Sequence, residues 1–161
     1  MTLYGGSTGP IFFYMVQAFL VTIAGCKFFN IKTRVKQTIL VSIIYGIVIW
    51  VVRGVYSILQ IPYGTHTLIL AICYCLLLLF IMRINFTYCL GVTGFGFSLV
   101  LLSDGLVGIF LAWSGESIDL ILGNVWLHII FGHIENLLLI IYLVLDKFIG
   151  LSLNKMVRSC G

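Results

Sequence analysis

Five long apolar runs, separated by short polar segments, occupy most of this 161-residue sequence. An apolar run of about 20 residues is long enough to cross the hydrocarbon core of a membrane as a helix. Lipid offers the backbone no hydrogen bonds, and a helix satisfies its own N–H and C=O groups. The sequence therefore predicts an all-α fold, a polytopic transmembrane helix bundle with helices near 10–29, 37–59, 67–82, 86–113 and 125–149.

The composition favours lipid as the solvent of this bundle. Hydrophobic residues make up 61% of the chain and charged residues only 9%, whereas soluble domains carry about 25% charged residues. The length suits a single transmembrane domain over residues 1–161. The basic residues stand at the ends of the apolar runs and not on a polar face, so we expect the lipid bilayer, and no nucleic acid, as a partner.

The basic residues also predict the orientation of the chain. Lys and Arg concentrate in cytoplasmic loops of membrane proteins. If the loop from Lys27 to Lys36 is cytoplasmic, every Lys and Arg except Arg53 falls on that side, and Glu116 and Asp119 fall on the other. We therefore expect a multi-pass protein of the cell membrane, with the N-terminus outside and the C-terminus in the cytoplasm.

Four ionisable residues lie within the apolar runs: Arg53, Asp104, His128 and Glu135. Such residues are costly in lipid and mark candidate functional sites. At 1.5 Å per residue, Arg53 lies roughly 24 Å from the cytoplasmic start of the second helix, and Asp104 roughly 27 Å into the fourth. The two side chains are thus predicted at similar heights in the outer half of the bilayer, where an ion pair would offset their desolvation.

The helical period places further polar residues on shared faces. The second helix carries Ser42, Gly46 and Arg53 on one face, and the spacing of Ser42 and Gly46 allows close helix contact. One face of the predicted fifth helix carries Asn124, His128, Glu135 and Tyr142. These faces predict an intramembrane polar cluster open to the outside. The cluster is either a ligand or ion site or a set of structural hydrogen bonds that fix the packing.

Catalytic and metal chemistry find little support in the sequence. No G-x-S-x-G, H-E-x-x-H, P-loop or paired C-x-x-C motif occurs. His128 and His133 splay by about 140° on a helix, which is poor geometry for one metal ion. Cys73 and Cys75 are interpreted as small apolar fillers, and His66 as an interfacial residue. We expect no enzymatic activity, no cofactor and no metal.

One segment carries a family resemblance. The stretch Ile61-Pro-Tyr-Gly-Thr-His-Thr67, a Leu/Ile-rich helix and Arg83-Ile-Asn85 resemble the membrane-sensor half of AgrC-like GHKL-type histidine kinases of Firmicutes. The resemblance implies that the helices receive a peptide or other signal. About a dozen residues follow the fifth helix, without a kinase part, so the chain would be a detached sensor module, a truncated relative or a fragment.

The sequence thus favours a small sensor-like or regulatory membrane protein of a Gram-positive bacterium. It would bind an external peptide or hydrophobic ligand, a membrane protein partner or a second copy of itself. An alternative is a transporter or channel subunit, in which the glycine-rich fourth helix and the polar cluster line a path. A purely structural subunit is a third alternative.

Overall fold

The computed structural model of the chain describes residues 8–59, 65–114, 133–134 and 136–149. Within these ranges the fold is all-α, without a strand, so the predicted fold class is confirmed. A short π-helical turn, Leu78–Met82, continues the third helix. The helices are α1 Thr8–Phe28, α2 Val35–Leu59, α3 Thr65–Leu77, α4 Phe86–Ser114 and α5 Leu137–Ile149.

Four of the helical segments are long and apolar enough to cross a membrane. They are Ile11–Phe28, Val35–Tyr56, Thr65–Met82 and Phe86–Trp113, and they coincide with the first four predicted runs. The fifth run, 125–149, is described only in part, because residues 125–132 and 135 lie outside the described residues. Its helix α5 has 13 residues. Length and composition indicate a multi-pass membrane protein.

Helix α1 is the centre of the bundle. It packs against α2, α4 and α5, while α3 packs against α2 and α4. Half of its apolar span is buried, against 17% of the span of α4. Many large apolar side chains of α2 and α4 point away from the bundle, as expected for helices that face acyl chains.

Glycines bring α1 into close contact with its neighbours. A Cβ atom on Gly46 of α2 would lie 2.6 Å from Cγ and 3.0 Å from the backbone N of Met15. A Cβ on Gly25 of α1 would lie 2.6 Å from Cγ1 and 3.0 Å from the carbonyl O of Val92 in α4. The spacing of Ser42 and Gly46 predicts a close helix contact. This contact is present at Gly46, between α2 and α1.

A buried hydrogen bond links α1 and α3 through the core. The hydroxyl oxygens of Thr22 and Tyr74 are 2.7 Å apart, and both side chains have no exposed surface. The Thr22 hydroxyl donates its proton to the Ala18 carbonyl at 2.7 Å. Since a hydroxyl has only one proton, Tyr74 must donate to Thr22. Each polar atom of the pair is thus satisfied inside an apolar core.

The packing at Gly46 yields a stability prediction. Gly46→Ala should lower the unfolding free energy by about 1–3 kcal/mol, since the added methyl meets the Met15 backbone, which cannot move aside easily. Gly54→Ala on the same helix is the control, because a Cβ at Gly54 has no neighbouring atom within 4 Å. Thermal unfolding in detergent micelles measures both variants. Equal losses in the two would contradict the close contact.

Candidate functional site

A cavity of about 180 Å³ opens between α1, α2, α3 and α4. It lies toward the end of the bundle where α2 ends and α3 begins. Its apolar wall includes Val21, Ile49 and Leu70. We call it the polar cavity because six polar or charged residues also line it: Gln17, Tyr45, Arg53, His66, Thr67 and Asp104.

Arg53 enters the polar cavity from α2 and is held by a tyrosine of α1. Its Nη1 donates a hydrogen bond of 2.9 Å to the Tyr14 hydroxyl. Its guanidinium carbon lies 4.9 Å from the centre of the same ring, within the range of a cation–π contact. Tyr14 is only 4% exposed, so the anchor is rigid. Arg53 itself is exposed.

Asp104 lines the polar cavity from α4. The two charged residues that the depth estimate placed at one height therefore face the same space, one on α2 and one on α4. His66, in the first turn of α3, joins them. Its ring meets the Tyr56 ring edge-on at 5.7 Å, and Thr65 donates a 3.3 Å bond to the Tyr56 hydroxyl. These contacts fasten the start of α3 to the end of α2.

Of the four polar residues predicted on one face of the fifth helix, the structure describes only Tyr142. His128, Glu135 and Asn124 lie outside the described residues, and their place in the cluster stays a prediction. Tyr142 is described, and its ring packs against Phe95 of α4 at 5.0 Å. It also contacts Phe28 of α1 at 6.3 Å, and neither of these two rings lines the polar cavity.

The polar cavity combines opposite charges with an apolar wall. A fixed guanidinium can bind a carboxylate, and a carboxylate can bind an amine. The volume is below that of ordinary ligand pockets, about 300–1,000 Å³, so it fits one side chain or one chain terminus. Within the described residues, no three His, Cys, Asp or Glu side chains are grouped to hold a metal ion.

Two residues of α1 were not predicted from the sequence: Tyr14, which holds Arg53, and Gln17, which lines the polar cavity. A signal for them exists, because polar groups three residues apart in an apolar helix share a face. His66, interpreted from the sequence as an interfacial residue, also lines the polar cavity. Its position just after a turn gave no indication of which helices surround it.

Comparison of the chain with protein-family models, with curated proteins and with solved structures gives no match. The functional conclusion therefore depends on the geometry of the polar cavity.

The contact by which Tyr14 holds Arg53 can be tested by removing the Tyr14 hydroxyl oxygen. Tyr14→Phe keeps the ring under the guanidinium but removes the 2.9 Å bond, so the unfolding free energy should fall by about 1 kcal/mol. Tyr56→Phe is the matched control, because its hydroxyl makes a longer and exposed bond. Denaturation with sodium dodecyl sulfate in mixed micelles measures both. A larger loss in the control would argue against the anchor.

Proposed function

We propose that this chain is a sensor-like or regulatory membrane module whose polar cavity binds a small apolar or peptidic ligand from outside. The observation that carries the proposal is the presence of Arg53 and Asp104 in one cavity within the membrane-spanning bundle. Charged residues at such depth are expensive unless they have a role. A structural role alone does not require an open cavity beside them.

The lining chemistry suggests the class of ligand. Arg53 suits a carboxylate, Asp104 suits an ammonium group, and the aliphatic wall suits an apolar side chain. A peptide terminus with an apolar residue offers these groups together. This ligand class is consistent with the resemblance to AgrC-like sensor domains, in which the helices receive a peptide or other signal.

The orientation of the basic residues supports binding from outside. The loop between α1 and α2 and the loop between α3 and α4 carry Lys32, Arg34 and Arg83 at one end of the bundle, which we call the basic end. By the positive-inside rule the basic end is cytoplasmic. The polar cavity lies toward the opposite end and would open outward. A C-terminal fusion to green fluorescent protein, which fluoresces only when it folds in the cytoplasm, tests this orientation. The proposed orientation predicts a fluorescent fusion.

Helix α1 provides a route from the polar cavity to the basic end. Tyr14 and Gln17 lie at the cavity, and Lys27 lies in the last turn of the same helix. Lys27 forms an ion pair of 3.5 Å with Asp146 of α5. A ligand that competes with Tyr14 for Arg53 would shift α1 against α2, and the rigid helix would carry this shift to the ion pair.

A transporter or channel subunit is the second candidate, because α4 has glycines that face open space. A Cβ on Gly94, Gly105 or Gly108 would have no neighbour within 4 Å. This face of α4 could line a path in an assembly of several chains. Ion or solute flux through liposomes that contain the purified chain alone would favour this candidate over a sensor.

The sensor proposal predicts ligand binding that depends on both charges. Short synthetic peptides with an apolar terminal residue, with free or blocked ends, are titrated against the chain in lipid nanodiscs. A peptide that binds should lose about tenfold or more in affinity with Arg53→Gln or Asp104→Asn, since a bond to a charged group is removed.

Cys73→Ala is the control for this titration, since Cys73 does not line the polar cavity. It should bind the peptide as the unaltered chain does. Equal affinity in all three variants would contradict the proposal. A change only in the melting temperature of the charge variants, without peptide binding by the unaltered chain, would instead support the structural role.

A further inference from the structure

A second cavity, of about 410 Å³, lies at the basic end of the bundle. It is formed where α1 and the π-helical turn end and where α2 and α4 begin. Its lining is mostly polar and includes two cations. Six residues carry the chemistry: Asn30, Lys32, Gln37, Arg83, Asn85 and Tyr88.

The backbone of this cavity is built from two unusual turns. Asn30 and Arg83 both adopt left-handed conformations, with φ of 55° and 54°. Asparagine is enriched in this region, whereas arginine is not. Arg83 follows directly on the π-helical turn Leu78–Met82, and π-helical turns occur frequently at functional sites. The backbone of Arg83 is thus strained in the conformation that places this residue in the lining of the cavity.

The helix termini around the cavity favour an anion. The positive end of the helix dipole of both α2 and α4 lies here, although the N–H groups of Gln37 and Thr38 already bond the Arg34 carbonyl and that of Cys89 bonds the Asn85 carbonyl. Some of the carbonyl groups at the ends of the other two helices are already bonded. Ile31 N–H donates to the Cys26 carbonyl at 2.7 Å, and Gln37 Nε2 donates to the Ile81 carbonyl at 3.1 Å.

The charge balance at the basic end is strongly positive. Among the described residues of this end, the acidic one is Asp146, and Lys27 forms an ion pair with it at 3.5 Å. Among the described residues, no carboxylate lies within 4.0 Å of the amino or guanidinium nitrogens of Lys32 and Arg83. Both side chains are exposed. The cavity therefore offers two positive charges, amide donors and helix N-termini to one negatively charged group.

Aromatic side chains are exposed on the segments that form the cavity. Phe80 in the π-helical turn and Phe86 at the start of α4 are 72% and 58% exposed. Tyr88, which lines the cavity, is 48% exposed. A polar anion site bordered by exposed aromatic side chains matches a molecule with a charged headgroup and acyl chains. A free inorganic anion would gain nothing from this border.

We propose that the cavity at the basic end binds the phosphate group of an anionic phospholipid. Lys32 and Arg83 pair with the phosphate, the amide groups of Asn85 and Asn30 complete its hydrogen bonds, and the acyl chains lie along Phe80 and Phe86. Basic pockets between transmembrane helices are suited to such headgroups. The site is separate from the polar cavity at the other end and does not depend on the proposed function.

Native mass spectrometry of the full chain in detergent, with added phosphatidylglycerol or phosphatidylcholine, tests this site. Phosphatidylglycerol should bind about tenfold more tightly than phosphatidylcholine. Lys32→Gln should weaken its binding about fivefold, as expected for one basic residue near a lipid phosphate. Arg83→Asn should have a similar effect, and asparagine tolerates the left-handed backbone.

Lys36→Gln is the matched control, since Lys36 is an exposed basic residue at the same end but does not line the cavity. It should change the affinity by less than about twofold if the cavity binds specifically. Equal losses for Lys32→Gln and Lys36→Gln, or no preference for phosphatidylglycerol, would overturn the proposal. A parallel titration with inorganic phosphate distinguishes a lipid phosphate from a free one. If the chain binds phosphate, Arg83→Asn abolishes this binding and phosphatidylglycerol binds only weakly, the proposal of a lipid ligand would be overturned.

Discussion

The close contact of α1 with α2 and α4 is the constraint on which the rest of the structure depends. Gly46 lets the backbone of α1 approach α2 at Met15, and Gly25 lets α4 approach at Val92. In lipid, burial of apolar surface between helices gains little, so association relies on close packing and hydrogen bonds. Helix α1 thus packs against α2, α4 and α5, and polar residues of the bundle line a cavity toward each end.

The polar groups inside the bundle follow from this arrangement. Thr22 and Tyr74 satisfy each other in the core, where both side chains are fully buried. Toward one end, Tyr14 of α1 holds Arg53 beside a cavity that Asp104 also lines. At the other end, the loops bring Lys32 and Arg83 into a second cavity. The bundle thus separates a mixed-charge site from a cationic one along its length.

Much of this could be predicted from the sequence because helices in lipid follow simple rules. Apolar length predicts the four spans, and the rise per residue places Arg53 and Asp104 at one height. The contact of Arg53 with Tyr14 could not be predicted, since it depends on which helices are neighbours. The sequence predicts Asp104 of α4 as a partner, and the hydrogen bond to Tyr14 of α1 is a further contact that it did not indicate. Asp146 was missed for the same reason, because its partner Lys27 belongs to a helix far away in sequence.

The central claim is that Asp104 faces a polar cavity and not the acyl chains. Spin labels on single cysteines at positions 104 and 102 test it in a bilayer, with the native cysteines replaced. Leu102 is 58% exposed on the same helix and two residues away, so its label should collide mainly with oxygen dissolved in lipid. The account predicts that the label at 104 collides more with a water-soluble nickel complex. Equal oxygen-dominated collisions at both positions would contradict it.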